Sequence, residues 1–255
     1  MKIIEEKKIM KDIPIIVCRR DDGCKKPLVI ISHGFTGSKE DFKNKGYLEE
    51  LAESGYFAVA IDNRLHGDRP EPNFRTAVIK SSGKVDLLAL REAIKKTADD
   101  VKLLIDELSV MEEVQEDKIA LIGVSMGGFV TFRAIVIDDR IKVGIPIISS
   151  PYWDDIPGDI PIVNNEITEI ELNSLSKKYQ PSEHLDKFYP TALLMQIGDT
   201  DMHYDINKVK SFYNELKNFY YDSPEKLRLI IYPGTKHELK QEMWEQALKW
   251  LKGNF

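Results

Sequence analysis

Apolar residues along this chain come in two alternating arrangements. Short unbroken runs recur at Pro27–Ser32, Phe57–Ile61, Lys118–Ile122, Lys142–Ile148, Ala192–Ile197 and Leu227–Tyr232. Runs of this length that are apolar on both sides of the period-2 repeat read as strands buried on both faces. Between them the apolar positions space out to three and four. The clearest case is Val85 to Leu108, where Leu87, Leu90, Ile94, Ala98, Val101, Ile105 and Leu108 form one stripe. That spacing is the signature of an amphipathic helix. Further helices are expected at Lys39–Ser54 (stopped by Gly55), Gly128–Ile137, near Glu166–Lys178, Ile206–Tyr220 and Leu239–Leu251. Ile3–Ile9 and Ile13–Arg19 read as an antiparallel pair turning near Met10–Asp12.

Strands that alternate with helices predict a mostly parallel sheet of about eight strands, covered on both faces. Residues 1–255 read as one domain. From about Pro151 to Pro190 the rhythm breaks, with prolines at 151, 157, 161 and 181. In such sheets the reactive groups lie beyond the carboxyl ends of the strands.

At one of those ends stands Gly123-Val124-Ser125-Met126-Gly127. Chance alone would place a Gly-x-Ser-x-Gly pentapeptide in about one chain in twenty of this composition, so context must decide. Here a buried strand precedes the motif and an apolar helix follows it. That is the setting of a nucleophile elbow, a tight turn that exposes a serine hydroxyl. A serine hydroxyl needs a base within hydrogen-bond reach, and that base needs an orienting group. Of the five histidines, His237 lies on the loop after the last strand, at the same sheet edge as Ser125. His203 is its rival on the preceding loop. His33 and His66 precede glycines in turns, and His184 falls in the irregular segment. The chain order serine, acid, histidine places the acid in Gly198-Asp199-Thr200-Asp201. Asp201 is preferred because it lies past the strand end, whereas Asp199 beside the glycine suits a turn and Asp205 a helix N-cap.

Acyl chemistry also needs donors for a developing oxyanion. The Met126 N–H, at the start of its helix, is one candidate. The Phe35 N–H, in the turn His33-Gly34-Phe35-Thr36-Gly37, is the other.

Together these pieces resemble the α/β-hydrolase family over nearly the whole chain: His33-Gly34-Phe35, Asp62-Asn63-Arg64-Leu65-His66-Gly67, the Ser125 elbow, Gly198-x-x-Asp201 and His237. Within that family the chain is most similar to small bacterial esterases related to dienelactone hydrolases and to prolyl oligopeptidase catalytic domains. The resemblance implies cleavage of small, short-acyl carboxylic esters by a Ser125–His237–Asp201 triad, without metal or cofactor. It also implies that Asp62–Gly67 is a structural loop and that 151–190 is a small cap insertion. Dienelactone hydrolases carry cysteine where this chain has Ser125, and no stretch is long enough for the propeller of a prolyl oligopeptidase. A small-substrate peptidase or amidase, or a thioesterase, would use the same triad. A hydrolase-fold binding protein that has lost catalysis is the reading from a different class. Phe35, Tyr152 and Trp153 are candidate pocket residues, the last two equally suited to packing the cap. Arg64, Arg69 and Arg75 suit either recognition of an anionic substrate or solvation at the surface, and the solvated reading is preferred.

Bulk properties narrow the setting. A net charge of −6 argues against nucleic acid or an anionic membrane surface as the partner. No apolar run reaches the ~18 residues of a membrane span. The N-terminal Lys2–Lys8 stretch carries acidic residues where a signal peptide is apolar, so a cytoplasmic protein is expected, as monomer or homodimer. Cys18 and Cys24 have no metal-type spacing; a disulfide between them is conceivable, and two reduced thiols are the preferred reading.

Overall fold

The computed structural model describes residues 2–70, 72–155, 157–158, 160–163 and 166–255, with the backbone alone for 166–168. Eight strands form one sheet: β1 (Ile3–Met10), β2 (Ile13–Arg20), β3 (Lys26–Ser32), β4 (Phe57–Ile61), β5 (Val114–Val124), β6 (Ile141–Ile147), β7 (Ala192–Gly198) and β8 (Leu227–Tyr232). Their spatial order is β1-β2-β4-β3-β5-β6-β7-β8. β1 and β2 form an antiparallel hairpin, and β2 is antiparallel to β4. Every later neighbour is parallel. Lys11 and Asp12 turn the hairpin with positive φ values of 50° and 61°, as a tight two-residue turn between twisted strands requires. This is the mostly parallel eight-stranded sheet that the pattern predicts, and the architecture that the α/β-hydrolase resemblance implies.

The period-2 alternation decides which layer each side chain joins. On β3, Leu28 and Ile30 enter one core with helices α4 (Leu87–Leu108), α5 (Met126–Ile137) and α7 (Ile206–Leu216). Val29 and Ile31 enter the other, with α1 (Lys39–Asn44), α2 (Tyr47–Glu53) and α8 (Gln241–Asn254). Between β6 and β7 the chain carries α6 (Glu166–Tyr179) and two short 3₁₀ turns at Pro181–Glu183 and Leu185–Lys187. Among the described residues, no helix is long and apolar enough to cross a membrane. Cys18 is buried, Cys24 is exposed, and both are free thiols.

Two of the departures from the expected helices have local reasons. The predicted Lys39–Ser54 helix is two helices, because Gly46 takes φ 76° and sends its N–H back to the Lys43 carbonyl (2.8 Å). Only glycine adopts that conformation without strain. Helix α7 ends at Leu216, short of Tyr220. Past that point the Asn218 and Phe219 N–H groups turn to carbonyls three residues back, those of Glu215 (3.2 Å) and Leu216 (2.9 Å), and the buried Tyr220 ring places its hydroxyl 2.7 Å from the Phe188 carbonyl and 2.6 Å from that of Thr191. One element is not foreshadowed: the four-residue α3 (Phe74–Ala77), capped by the Asn73 side chain.

Candidate active site

The elbow is built by close approach of backbone to backbone. Ser125 holds φ 55° and ψ −115°, a sparsely populated conformation that its surroundings must enforce. Its N–H donates to the Ile147 carbonyl of neighbouring β6 (2.9 Å), and its own carbonyl accepts from Gly128 (2.8 Å) and Phe129 (3.2 Å). A side chain on Gly127 would collide with the Ser32 carbonyl, one on Gly123 with the Gly127 carbonyl, and one on Gly128 with the Ser149 side chain. The glycines are therefore demanded by packing against β3, β5 and β6. Helix α5 begins immediately at Met126, two residues earlier than the sequence pattern suggests. Its first N–H groups consequently have no intrahelical acceptor.

Ser125, His237 and Asp201 converge in one hydrogen-bonded chain. Ser125 Oγ lies 2.6 Å from His237 Nε2, and His237 Nδ1 lies 2.7 Å from Asp201 Oδ2. The Asp201 side chain is fully buried and the His237 ring about one-fifth exposed. Burial alone would push the Asp201 carboxyl up. Hydrogen bonds from His203 and His237 outweigh it and hold the group well below the usual carboxylate range. A charged acceptor fixes the imidazole with Nδ1–H toward Asp201 and the Nε2 lone pair toward Ser125. Asp199 instead serves the loops: its Oδ1 accepts the Gly234 N–H (2.6 Å), tying the β8–α8 loop to the β7–α7 loop. Asp205 caps α7 through the Asn207 N–H.

His203, expected only as a rival base, lies beside His237. The two rings stack 3.7 Å apart at 17°. The His203 N–H donates to Asp201 Oδ1 (2.9 Å), and its Nδ1 lies 3.3 Å from the same oxygen. Ligand atoms of Asp201, His203 and His237 fall within 4.8 Å of one another. The lone pair of an imidazole nitrogen lies in the ring plane, so two stacked rings cannot both aim at one ion; the arrangement suits a hydrogen-bonded dyad better than a metal centre.

The turn after β3 passes directly against the serine. A side chain on Gly34 would lie 3.4 Å from Ser125 Cβ. Buried hydrogen bonds lace this turn to the loop after β4. Ser32 Oγ donates to Asn63 Oδ1 (2.8 Å), Asn63 Nδ2 donates to the His33 carbonyl (2.8 Å), and the Asn63 N–H donates to His33 Nε2 (3.1 Å). Thr36 N–H donates to His66 Nε2 (3.3 Å). His33 and His66 are thus framework groups that hold the backbone of Phe35 beside Ser125, as the structural reading of Asp62–Gly67 anticipates.

Ser125, Met126, Phe35, His203 and His237 border a cavity of about 200 Å³. Its far wall is Leu87, Leu90 and Ile94 of α4, with Phe129 of α5. The sequence pattern reads that α4 stripe as the apolar face of an amphipathic helix, and periodicity alone does not show that part of the face lines a cavity. Tyr152 and Trp153 do not border the cavity among the described residues. Trp153 is fully buried in the main core, and Tyr152 packs edge-on against Phe212 with Lys208 over its ring. Arg69 is buried, and with Arg64 it pairs with buried Asp100 at 2.5 and 2.8 Å. Neither arginine is the solvated surface cation expected; Arg75 lies over the Phe74 ring.

Residues 23–187 match the family model described as serine aminopeptidase, S33. The chain is an α/β-hydrolase of this family. It is 28% identical over 239 residues to the Bacillus subtilis protein named "Putative esterase YitV", covering 88% of each chain. Among solved structures, this α/β-hydrolase is similar to TT1662 from Thermus thermophilus, with a TM-score of 0.79 and 19% identity over 99% of this chain and 98% of that one. An acetyl xylan esterase from Paenibacillus sp. R4 superposes with a TM-score of 0.71 at 18% identity, covering 100% of this chain and 88% of that one. At those identities the structural likeness speaks for the fold.

Proposed function

We propose that this α/β-hydrolase is a serine carboxylesterase of small, short-acyl esters, with Ser125 as nucleophile, His237 as general base and acid, and Asp201 as the orienting carboxylate. The observation that carries the reading is the hydrogen-bonded chain from Ser125 through His237 to Asp201 at 2.6 and 2.7 Å, opening on an apolar cavity. In the proposed reaction, His237 Nε2 takes the Ser125 proton as Oγ attacks the ester carbonyl. The N–H groups of Phe35 and Met126 receive the oxyanion. Imidazolium, stabilised by ionised Asp201, then protonates the leaving alcohol. Water deprotonated by His237 cleaves the acyl-enzyme and restores Ser125.

The family description raises aminopeptidase activity as a second reading. A site that holds a substrate ammonium group needs an anionic partner for it. Among the described residues, no carboxylate borders the cavity, which favours the ester. The esterase name of the B. subtilis relative supports the same choice.

The test is labelling with a fluorophosphonate, followed by mass spectrometry, alongside turnover of short p-nitrophenyl esters. The adduct is expected on Ser125, and Ser125→Ala should lose at least about 10⁴-fold in turnover. Labelling at another residue, or a variant that keeps its rate, would overturn the assignment.

A further inference from the structure

One cavity residue has no part in the steps above. Arg91, on the second turn of α4, borders the same cavity as Ser125 yet is only 3% exposed. Its neighbours on that wall, Leu87, Leu90, Ile94 and Phe129, are apolar. A buried guanidinium ordinarily has a carboxylate partner; among the described residues Arg91 has none within ion-pair distance. Nε donates to the Trp153 carbonyl (3.1 Å) and one Nη to the Asp155 carbonyl (3.3 Å). The group also lies over the Phe129 ring at 4.4 Å. The nearby Asp155 carboxylate is committed elsewhere, to Lys208 (2.8 Å) and to the Ser150 hydroxyl (3.0 Å). Burial lowers the Arg91 pKa to about 10, so the group is a cation at neutral pH. Two carbonyls hold its orientation without neutralising it, and its second Nη makes no hydrogen bond among the described residues.

We propose that Arg91 makes this cavity a subsite for a carboxylate carried on the substrate, so that the favoured esters have an acyl or alcohol arm ending in a carboxylate group. The inference rests on the esterase reading for which arm is cleaved, but the subsite is testable by binding alone. A preorganised guanidinium in an apolar wall matches the planar, bidentate geometry of a carboxylate. A cavity of about 200 Å³ restricts that arm to a short chain.

The test uses full-length Ser125→Ala protein, which cannot turn the probes over, and two isosteric pairs measured by calorimetry. Monomethyl glutarate against methyl 5-methylhexanoate probes the acyl arm. Acetoxyacetate against isobutyl acetate probes the alcohol arm. In one pair the anion is expected to bind about ten- to one-hundredfold tighter. Adding Arg91→Met should erase that ratio, and Arg91→Lys should restore part of it. A role limited to strapping the 153–155 loop would change both members of a pair alike and leave the ratio unmoved. Equal or weaker anion binding in both pairs overturns the subsite, whatever the hydrolysis assays show. An anion preference in Ser125→Ala, paired with wild-type protein that hydrolyses none of the four esters, would instead keep the subsite and refute the esterase reading.

Discussion

His33 sits at 1% exposure beneath the turn that presents Phe35 to Ser125, and acidification is a direct way to strain that turn. Its ring is held in one tautomer. Nδ1–H donates to the Gly34 carbonyl (2.7 Å), and Nε2 accepts the Asn63 N–H (3.1 Å). A proton on Nε2 would face that N–H with another N–H in a site closed to water. Burial is the main cause that pushes the His33 pKa down to about 4, against about 6.5 for an unfolded histidine. Between those values the unfolded chain binds the proton and the folded chain does not, so stability is complete above pH 6.5 and declines as pH falls toward 4. From these two values, His33 alone removes about 2 kcal/mol by pH 5 and about 3 kcal/mol by pH 4. Urea unfolding of wild type and His33→Gln, followed by tryptophan fluorescence from pH 7.5 to 4.5, isolates this contribution as the difference between the two curves. Glutamine titrates nowhere in that range and offers an oxygen to the Asn63 N–H. The wild-type advantage should shrink steadily with acid. A difference that stays flat within about 0.5 kcal/mol would refute the argument that a neutral, desolvated His33 holds the turn.

Two further outcomes follow from the site. Asp201→Asn should lower ester turnover by about 10⁴-fold, because the amide lets His237 adopt the wrong tautomer. Asp199→Asn weakens only an exposed loop bond worth about 1 kcal/mol, so equal kinetic losses in the two variants would reverse the choice of acid. Trp153→Ala should cost about 3–5 kcal/mol of stability as a core deletion, measured by denaturant midpoint, while Trp153→Phe leaves KM for short esters near wild type. A large KM rise without destabilisation would return Trp153 to the substrate pocket.

Much of this architecture is legible in the chain because the relevant constraints are local. The buried strands announce themselves as unbroken apolar runs, and β8 begins and ends where the pattern places it. The elbow is legible because neighbouring backbone leaves no room for a Cβ at 123 and 127, and the Ser149 side chain leaves none at 128, which writes glycine into all three. Asp201 could be preferred over Asp199 from strand-end position alone. What the chain does not display is anything decided between elements distant in sequence. The break at Gly46 depends on which of two glycines, 46 or 55, stops the first helical stretch. The stacking of His203 on His237 joins two loops. Trp153 and Arg91 are the sharpest cases: the same residue types suit either a pocket wall or a core. Only the packing shows that the tryptophan fills the core and the arginine borders the cavity.

The loops after β7 and β8 are laced to each other before either reaches the serine. Asp199 N–H donates to the Tyr232 carbonyl (3.2 Å), Thr200 N–H to the Thr235 carbonyl (3.1 Å), and Gly234 N–H to Asp199 Oδ1 (2.6 Å). Gly198 leaves no space for a side chain against the Thr235 carbonyl. Asp201 and His237 therefore travel as one cassette, and Ser125 and its flanking turn, built on β3, β5 and β6, as another. For protein engineering this sets the unit of exchange. Residues 198–203 and 233–238 should be moved between scaffolds together, since transplanting either loop alone would separate Asp201 from the ring it orients.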